Sequence, residues 1–387
     1  MNILHVVPSL SKRFGGPAKA VLELSEALVH AGQKVSIFAT DHGFENGGYD
    51  ADLDQSGVRI GLFKRRWPKC YFHSPSFGKA LEHEIRNFDV VHIHGLWTYP
   101  TLVASRLSQR NGIPYLIRPC GMLDPYCLSH HGLRKKIYYL FFEKSHLARA
   151  RVIHFTTEEE KEHSQVSGLA LQMVVIPLGL KLEDYFHLPP HGSFRKQFLN
   201  LDGKKLVVFL GRINFKKGLD LLVGAFSELV KEIEGVHCVI AGPDDEGYGR
   251  KLRWWIREKG IEDHVTIIGF LDGEKKLALL RDSDVFCLLS HQENFGIAVV
   301  EAMAVGLPVV VSDQMNLGSE IKSHQAGVVT SMKCSEIASH LHHLLENDHL
   351  RHKMGQNGQR LVHEKYRWDK IAEELIRVYE RLLSVNR

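Results

Sequence analysis

Short apolar runs alternate with amphipathic stretches along the whole chain. In the first half this pattern predicts strands at 2–7, 35–39, 58–62, 89–93, 114–118 and 151–155, separated mostly by helices such as 18–30. The pattern restarts at residue 206, with further strands at 236–241, 265–268, 285–289, 308–312 and 326–330. Because strands that alternate with helices form parallel, doubly wound sheets, we expect an α/β protein made of two Rossmann-like domains.

A linker is predicted at 178–192, which contains two adjacent prolines, has a glycine near each end and lacks steady periodicity. We therefore expect a first domain over 1–185 and a second over 192–367. A chain of 387 residues is also long enough to form two domains, because a single hydrophobic core does not grow to that size. The last two helices are predicted at 336–345 and 371–383.

Two carboxylates, Glu293 and Glu301, lie eight residues apart across a strand-to-helix turn that contains Gly296. The unpaired N–H groups of such a helix start attract phosphate. At about 1.5 Å rise per residue, Glu301 lies roughly 8 to 10 Å further along the axis, about the distance from a sugar ring to a ribose. Ionised carboxylates can accept from the hydroxyls of a diol. The spacing alone is explained equally well by two solvated acids at a helix end.

Basic residues follow the apolar strand candidate that begins at Lys205. Arg212 and Lys217 would lie at the carboxyl end of this parallel strand, where ligands of open α/β sheets bind. A guanidinium and an ammonium can neutralise a departing nucleoside diphosphate without a metal. The other interpretation is a solubilising surface loop. The acidic motif makes the surface-loop interpretation less favourable, because both motifs follow strands of one predicted sheet.

Segments from both halves resemble a known family. The second half contains GRINFKKGLDLLVGAF, VIAGPDDEGYGRKL, VTIIGFLDGEKKLALLRDSDVFCLLS and ENFGIAVVEAMAVGLPVVVSD, which are similar to the donor half of the retaining transferases of glycosyltransferase family 4. The first half contains GGPAKAVLELSEALVHAGQKVSIFAT and DVVHIHGLW, which resemble the acceptor half. The resemblance implies the GT-B fold, in which two Rossmann-like domains face each other across a cleft. It also implies that the C-terminal helix, 368–387, packs back on the first domain.

The resemblance implies a transferase that moves a hexose-type sugar from a nucleoside diphosphate to a glycan or lipid-linked acceptor with retention, in cell-surface polysaccharide synthesis. The expected catalytic residues are His94, Arg212, Lys217 and Glu293. The expected donor contacts are Gly16, Gly242, Phe270, Leu271, Asn294, Phe295, Gly296, Ile297 and Glu301. Since His94 would act from the opposite domain, catalysis is expected to need closure of the cleft.

The first half adds candidates of lower specificity. His92 and His94 alternate along a strand, so both point to one face, and a structural hydrogen bond is the simpler explanation for either. Gly16 follows the first strand, where a glycine-rich turn can approach a phosphate or can be only a turn. The candidate acceptor contacts are Arg118, Asp124, His130 and His131, although Asp124 is more simply a turn residue before a proline.

No metal or cofactor is expected. Asp52-Leu-Asp54 and Asp282-Ser-Asp284 match the Asp-x-Asp pattern of metal-dependent transferases, but such short matches arise easily by chance. The six cysteines form no CxxC pair, which favours a reducing cytoplasm. The absence of GxGxxG argues against a nicotinamide-type dinucleotide site.

Positive charge is concentrated in the first half, where residues 1–185 hold 22 Lys and Arg against 18 Asp and Glu. It is densest at Lys64–Arg66 and Arg134–Lys136, and the second cluster precedes the apolar run 137–142. This arrangement suggests either peripheral contact with an anionic membrane or a core helix with a solvated basic start. We expect a cytoplasmic protein, since no apolar run reaches 18 residues and no signal-peptide pattern begins the chain. We also expect no nucleic-acid partner.

Other functions stay open from the sequence alone. A hydrolysing sugar-nucleotide epimerase can share this fold and would release free sugar. A non-catalytic sugar-nucleotide-binding protein would bind ligand without transfer. The sequence does not identify the nucleotide base, the sugar or the acceptor.

Overall fold

The computed structural model describes residues 1–11, 15–44, 56–129, 137–164, 172–198, 201–244 and 247–384. The chain forms two compact units: the first comprises Met1–Gly179 with Trp368–Arg387, and the second comprises Leu180–Arg367. Each unit contains a parallel sheet flanked by helices, so the predicted α/β class with doubly wound sheets is confirmed.

The sheet of the first unit has seven strands in the order β3-β2-β1-β4-β5-β6-β7. Their bounds are β1 Asn2–Ser9, β2 Lys34–Thr40, β3 Arg59–Phe63, β4 Val90–His94, β5 Tyr115–Arg118, β6 Val152–Phe155 and β7 Met173–Val175. The α-helices described in this unit are Gly16–His30, Pro75–Glu84, Tyr99–Asn111, Pro125–Ser129, Lys144–Arg149, Glu158–His163 and Trp368–Ser384. The short strand β7 was not predicted from the sequence.

The sheet of the second unit has six strands in the order β10-β9-β8-β11-β12-β13. Their bounds are β8 Lys205–Leu210, β9 Val236–Ala241, β10 Val265–Ile268, β11 Val285–Leu288, β12 Val309–Ser312 and β13 Gly327–Thr330. The α-helices described here are Leu219–Leu229, Gly249–Glu258, Gly273–Asp282, Ile297–Ala304, Gly318–Ser323, Cys334–Glu346 and Asp348–Lys365.

Each sheet has one point at which the strand order reverses. In the first sheet it lies between β1 and β4, and in the second between β8 and β11. The chain leaves these neighbouring strands in opposite directions, so their carboxyl ends border a crevice, which is the usual ligand site of open α/β sheets. The sequence motifs around His94, Lys217 and Glu293 all follow strands that border a reversal point.

The strands are almost continuously apolar because helices cover both faces of a parallel sheet. Leu206, Val207, Val208 and Phe209 of β8, for example, are fully buried. The centre of the first sheet departs from this rule, since it also buries polar side chains: His5, His92, His94, Arg118 and His154.

The change of unit falls at Gly179–Leu180, before the prolines of the predicted linker. The segment that follows belongs to the second unit because Asp282 holds its backbone there. The Asp282 carboxylate accepts hydrogen bonds from the N–H groups of Gly192 at 2.6 Å, Phe194 at 2.8 Å and Arg195 at 3.2 Å. Periodicity could not reveal this, because the acceptor lies about 90 residues further along the chain.

The C-terminal helix Trp368–Ser384 belongs to the first unit. Trp368 Nε1 donates to Glu23 Oε2 at 2.7 Å, which joins this helix to helix Gly16–His30. Seven of its residues are buried, including Ile371, Leu375 and Tyr379. No helix among the described residues is long and apolar enough to cross a membrane.

The apolar run after the second basic cluster is buried on one side only, since Tyr139 packs against the core of the first unit. Ile137, Leu140 and Phe141 are 50%, 65% and 74% exposed, and the chain makes a π-helical turn over Tyr139–Glu143. The basic residues Arg134–Lys136 lie outside the described residues. In the other basic cluster, Arg65 is buried, and its backbone N–H and Nε donate to Asp41 Oδ1 at 2.9 and 3.3 Å.

We predict that Asp282→Asn lowers the free energy of unfolding of the second unit by about 2 kcal/mol or more, because an amide cannot replace a buried, charged acceptor of three backbone N–H groups. Urea unfolding followed by circular dichroism measures this. Asp263→Asn, at an exposed position of the same unit, is the control. Equal unfolding midpoints for the two variants would contradict the prediction.

Candidate functional site

The Arg/Lys loop and the carboxylate motif meet at the reversal point between β8 and β11. Lys217, in a 3-10 turn over Phe215–Lys217, forms an ion pair with Glu293, which precedes helix Ile297–Ala304. Ser290 Oγ donates to the same Glu293 oxygen at 3.2 Å. The Lys217 and Glu293 side chains are 20% and 16% exposed, so the pair is sheltered yet reachable. Two motifs that are 76 residues apart in the sequence therefore form one site.

Glycines allow these loops to approach each other. Gly218 has φ of 62°, and a Cβ there would overlap the carbonyl group of Leu289, which follows β11. Gly296 has φ of 75°, and a Cβ there would contact the Met315 side chain. Both positions need a residue without a side chain, since left-handed backbone and close packing coincide. The turn that carries Glu293 thus packs closely against its neighbours.

Helix Ile297–Ala304 begins beside the Lys217–Glu293 pair. The first N–H groups of any helix lack intrahelical acceptors, so the turn from Asn294 to Ile297 presents donors to an anion. The Phe295 side chain instead points into the core and packs edge-on against Tyr366, with ring centroids 5.5 Å apart. Phe295 can therefore contact a ligand through its backbone only.

Glu301 lies on the same helix and forms a second ion pair. Its Oε1 accepts from Lys276 Nζ at 2.8 Å, and the Lys276 and Glu301 side chains are 15% and 6% exposed. Removing one partner of such a shielded pair is costly, because the remaining charge is left unpaired. Lys276 therefore orients the Glu301 carboxylate. Sequence patterns did not identify Lys276, since it lies on an amphipathic helix whose other lysine, Lys275, is exposed.

The remaining candidates of this unit lie along the same edge of the sheet. Arg212 is exposed and, in the ranges the structure describes, has no carboxylate partner. Gly242, after β9, lies so close to Gly211 that a Cβ would overlap the Gly211 carbonyl group. Phe270 is 54% exposed and, with Leu271, follows β10 at the outer edge of the sheet. Gly242 follows β9 and Phe270 follows β10, so both lie further along the sheet from the Lys217–Glu293 pair than Arg212, which follows β8.

In the first unit, His94 ends β4 and belongs to a buried histidine cluster. His94 Nε2 lies 2.8 Å from His5 Nδ1, and His92 Nδ1 lies 2.8 Å from the Tyr379 hydroxyl. His92 Nε2 lies 3.3 Å from His154 Nδ1, and His154 Nε2 lies 2.7 Å from the carbonyl oxygen of Ile176. These contacts span β1, β4, β6 and the C-terminal helix.

The carbonyl at one end fixes the direction of this chain of hydrogen bonds. A carbonyl only accepts, so His154 Nε2 carries the proton, and the Nδ1 of the neutral ring accepts from His92 Nε2–H. His92 Nδ1 must then accept from the Tyr379 hydroxyl. The tautomers of His92 and His154 follow from these contacts.

Burial keeps these imidazoles neutral. Desolvation, aided by the Arg118 charge, lowers the pKa of His5 to about 3 and the pKa of His154 to about 3. Burial, with the neighbouring histidines and Arg118, also lowers the pKa of His92 and of His94 well below the usual range. A neutral His94 can orient a hydroxyl group.

A metal site is the other interpretation of this cluster, because ring nitrogens of His5, His92 and His94 lie within 4.8 Å of one another. Both nitrogens of His92 are already used in hydrogen bonds, and the Arg118 cation would repel a metal ion. The contacts therefore favour a hydrogen-bonded cluster.

The Asp-x-Asp matches do not form a described metal site. Besides the role of Asp282 described above, Asp284 Oδ2 accepts from the Leu206 N–H at 2.7 Å, and its carboxylate lies 3.7 Å from both Arg195 and Arg351. The carboxylates of Asp282 and Asp284 therefore serve structural roles. Asp52-Leu-Asp54 lies outside the described residues.

The structure places the other candidates of the first unit as follows. Gly16 is the first residue of helix Gly16–His30, preceded by Gly15 with φ of 82°. Arg118 ends β5 and is 1% exposed. Asp124 Oδ1 accepts from the Tyr126 N–H at 2.8 Å, which is the turn role that the sequence favoured. His130 and His131 lie outside the described residues.

Sequence analysis missed His5, His154 and Tyr379. A pattern for the two histidines was present, since β1, β4 and β6 each carry a histidine inside an otherwise apolar strand, as in Leu4-His5-Val6 and Ile153-His154-Phe155. The contribution of Tyr379 could not be predicted, because it comes from a helix 225 residues after His154.

Two family models match the chain in tandem. The model described as Glycosyl transferase 4-like domain matches residues 15–179, and the model described as Glycosyl transferases group 1 matches residues 192–361. An uncharacterized glycosyltransferase of Methanocaldococcus jannaschii is 27% identical over 95% of this chain and 94% of its own length. A phosphatidyl-myo-inositol mannosyltransferase of Mycobacterium leprae is 27% identical over 96% of this chain and 94% of its own length.

Solved structures share the fold. A sucrose-phosphate synthase from Thermosynechococcus elongatus has a TM-score of 0.81 at 20% identity and covers 99% of both chains. The Anabaena protein HepE, solved in complex with UDP and glucose, has a TM-score of 0.80 at 20% identity and covers 98% of this chain and all of its own.

The histidine cluster predicts how stability depends on pH. Its histidines hold no proton in the folded state until well below their ordinary pKa of 6.5, whereas the unfolded chain binds protons there. The unfolded state then holds more protons, so stability is lost as pH falls through 6.5 towards 3. At pH 5 we expect unfolding to take up about four protons from this cluster, measured by calorimetry in buffers of different ionisation enthalpy.

Replacing one histidine of the cluster tests the assignment. His154→Asn should reduce the proton uptake by about one, whereas the exposed His343→Asn should leave it unchanged. Unfolding of the unmodified protein without proton uptake at pH 5 would contradict the proposed neutral state.

Proposed function

The chain belongs to the GT-B glycosyltransferases of family 4 type, and on that premise we propose that it moves a hexose from a nucleoside diphosphate sugar to a hydroxyl of a glycan or lipid-linked acceptor. We propose further that the anomeric configuration is retained, and that the product contributes to a cell-surface polysaccharide. The observation that carries the proposal is the Lys217–Glu293 pair beside a helix start at the β8–β11 reversal point.

The donor is assigned to groups of the second unit. The Lys217 ammonium has three donors, so it can contact both Glu293 and a phosphate oxygen. Arg212 and the amides from Asn294 to Ile297 add donors for the diphosphate. Glu293 accepts from sugar hydroxyls, and Glu301 accepts from the ribose hydroxyls. Gly242, Phe270 and Leu271 border the base.

These groups would stabilise the charge that develops during transfer. The bond between the anomeric carbon and the diphosphate breaks, a bond to the acceptor oxygen forms, and the proton of the acceptor hydroxyl passes to an oxygen of the departing diphosphate, on which negative charge collects. Arg212, Lys217 and the helix start are fixed positive groups at that position, so they lower the barrier without rearranging. His94 of the first unit, with its neutral ring, orients a sugar hydroxyl. Two cationic side chains make a metal ion unnecessary for neutralising the diphosphate.

We also propose peripheral contact with an anionic membrane, which would bring the enzyme to a lipid-linked acceptor on the inner face of the cytoplasmic membrane. A relative is named a phosphatidyl-myo-inositol mannosyltransferase, and that name denotes a lipid acceptor. The exposed Phe141 lines a cavity of about 530 Å³ together with Arg106, Arg110 and Arg149, and the exposed Leu140 precedes it in the chain. Apolar side chains beside arginines suit the boundary between acyl chains and anionic headgroups.

We predict that Glu293→Gln and Lys217→Ala each lower the rate of sugar transfer by about two orders of magnitude or more, because each removes charge aimed at the reacting groups. Glu301→Gln should mainly raise the KM for the donor, since the ribose is remote from the bond that breaks. Steady-state kinetics measure both effects, with the donor first chosen by thermal shift from a panel of UDP, GDP and ADP sugars.

Controls separate chemistry from folding. Glu274→Gln and Lys275→Ala remove the same charges from an exposed helix face of the second unit and should leave the rates unchanged. Circular dichroism checks that the site variants remain folded. Near-normal transfer by folded Glu293→Gln or Lys217→Ala would refute the assignment of that residue. Loss of activity in EDTA that magnesium or manganese restores would refute metal independence.

The membrane proposal has its own test. The protein should co-sediment at low salt with phosphatidylglycerol vesicles and not with phosphatidylcholine vesicles, and the double variant Leu140→Ser, Phe141→Ser should bind more weakly. Trp254→Ser, at an exposed apolar position of the second unit, is the matched control. The idea fails if the unmodified protein stays in the supernatant, or if the double variant binds as well as the control.

A further inference from the structure

Buried polar atoms without partners are concentrated at one place in the first unit. Eleven such atoms occur among the described residues, and four of them belong to three side chains: His5 Nε2, His94 Nδ1, and Nε and Nη1 of Arg118. These side chains lie on the neighbouring strands β1, β4 and β5, at the reversal point of the first sheet. His94 is opposite Arg118 in the strand register, and its ring stacks on His5 with centroids 5.0 Å apart.

Arg118 is the most unusual member of this group, because a buried guanidinium is normally paired with a carboxylate. Among the residues that the structure describes in this unit, two carboxylates are buried, and both are already used: Glu143 accepts from the Trp97 N–H at 2.7 Å, and Glu160 has three donors. Its Oε1 accepts from the Gly121 N–H, and its Oε2 accepts from the N–H and hydroxyl of Thr156, each at 2.7 Å. The Arg118 charge is therefore not balanced within the described part of the fold. A folded protein keeps such a costly group where a ligand supplies the missing partner.

We propose that Arg118, beside His94, binds an oxyanion, a phosphate or carboxylate group of the acceptor substrate. The assignment to the acceptor rests on the proposed transferase function. A guanidinium is permanently charged and presents a planar set of N–H donors, which matches the oxygens of phosphate and carboxylate. A metal ion would be repelled by the same charge.

The His94 ring has one nitrogen available for a ligand. His94 Nε2 lies 2.8 Å from His5 Nδ1, so only His94 Nδ1 remains, and that nitrogen is the one that can contact the sugar hydroxyl of the proposed function. His5 is then a positioning residue that fixes the orientation of the His94 ring. The oxyanion is therefore assigned to the Nε and Nη1 donors of Arg118.

The donor diphosphate is a less suitable occupant. Arg212, Lys217 and the start of helix Ile297–Ala304 already provide cationic and N–H groups for it in the second unit. A second strong cation in the first unit, placed beside the histidine proposed to touch the sugar, is best explained by a second anionic group. We therefore expect the preferred acceptor to carry a phosphate or carboxylate close to the hydroxyl that receives the sugar.

Thermal unfolding of Arg118→Met tests the site without any assay of transfer. In potassium chloride the variant should melt about 3 °C or more above the unmodified protein, because an unbalanced buried charge has been removed. Potassium phosphate at matched ionic strength should raise the Tm of the unmodified protein by more than that of Arg118→Met, in which only the diphosphate site of the second unit remains. Arg65→Met is the control, since Arg65 is buried but paired with Asp41, and this variant should melt lower.

The opposite results would overturn the proposal. Arg118→Met that melts below the unmodified protein, or fails to fold, would make Arg118 a structural residue. Equal phosphate shifts in the two proteins would place the anion elsewhere, and the absence of a shift with phosphate, glycerol phosphate and glucuronate alike would remove the site.

Nucleoside diphosphates separate this inference from the proposed function. UDP, GDP or ADP should shift Arg118→Met as much as it shifts the unmodified protein, because the donor binds in the second unit. Loss of that shift in Arg118→Met would assign the anion to the donor and overturn the acceptor assignment. A phosphate shift that depends on Arg118, with no shift by any nucleotide or nucleotide sugar, would retain the oxyanion site and count against the proposed donor.

Discussion

The contact between Lys217 and Glu293 is the interaction on which the site of the second unit depends. It joins the loop after β8 to the turn after β11, where the chain leaves two neighbouring strands in opposite directions. Gly218 and Gly296 permit this approach, because each occupies left-handed backbone in close contact with a neighbouring segment. The ion pair thus places a cation, an acceptor and a helix start within one crevice, and the proposed donor site rests on this arrangement.

The first unit uses the same topology with different chemistry. Its reversal point lies between β1 and β4, and the side chains there are neutral imidazoles and one unbalanced guanidinium. Tyr379 and the carbonyl group of Ile176 fix the ring orientations from two sides. Burying these polar groups in a parallel sheet costs stability, and stability alone would favour apolar residues at these positions. Their presence is therefore consistent with a functional site.

Most of the fold could be predicted from the sequence, because strands buried on both faces appear as short, continuous apolar runs. β7 was missed, since it has three residues and its burial is incomplete. Lys217 and Glu293 could be brought together in advance, because both follow strands of one sheet. The Lys276–Glu301 pair and the Asp282 contacts could not, since each depends on side chains from separate elements whose relative position no local pattern records.

The same limit applies to the basic clusters. Lys64–Arg66 is one of the two densest basic clusters in the sequence, but Arg65 is buried against Asp41, and only the fold reveals its partner. The run after residue 136 is apolar enough for a core, yet Leu140 and Phe141 are exposed. Local composition predicts which side chains can be buried, and the packing of distant elements decides which ones are.

The most direct measurement is a crystal structure of the protein with a bound nucleotide sugar. The account predicts that the diphosphate contacts Arg212, Lys217 and the start of helix Ile297–Ala304, with the ribose against Glu301 and the sugar against Glu293. A nucleotide sugar bound at full occupancy away from these residues would contradict it.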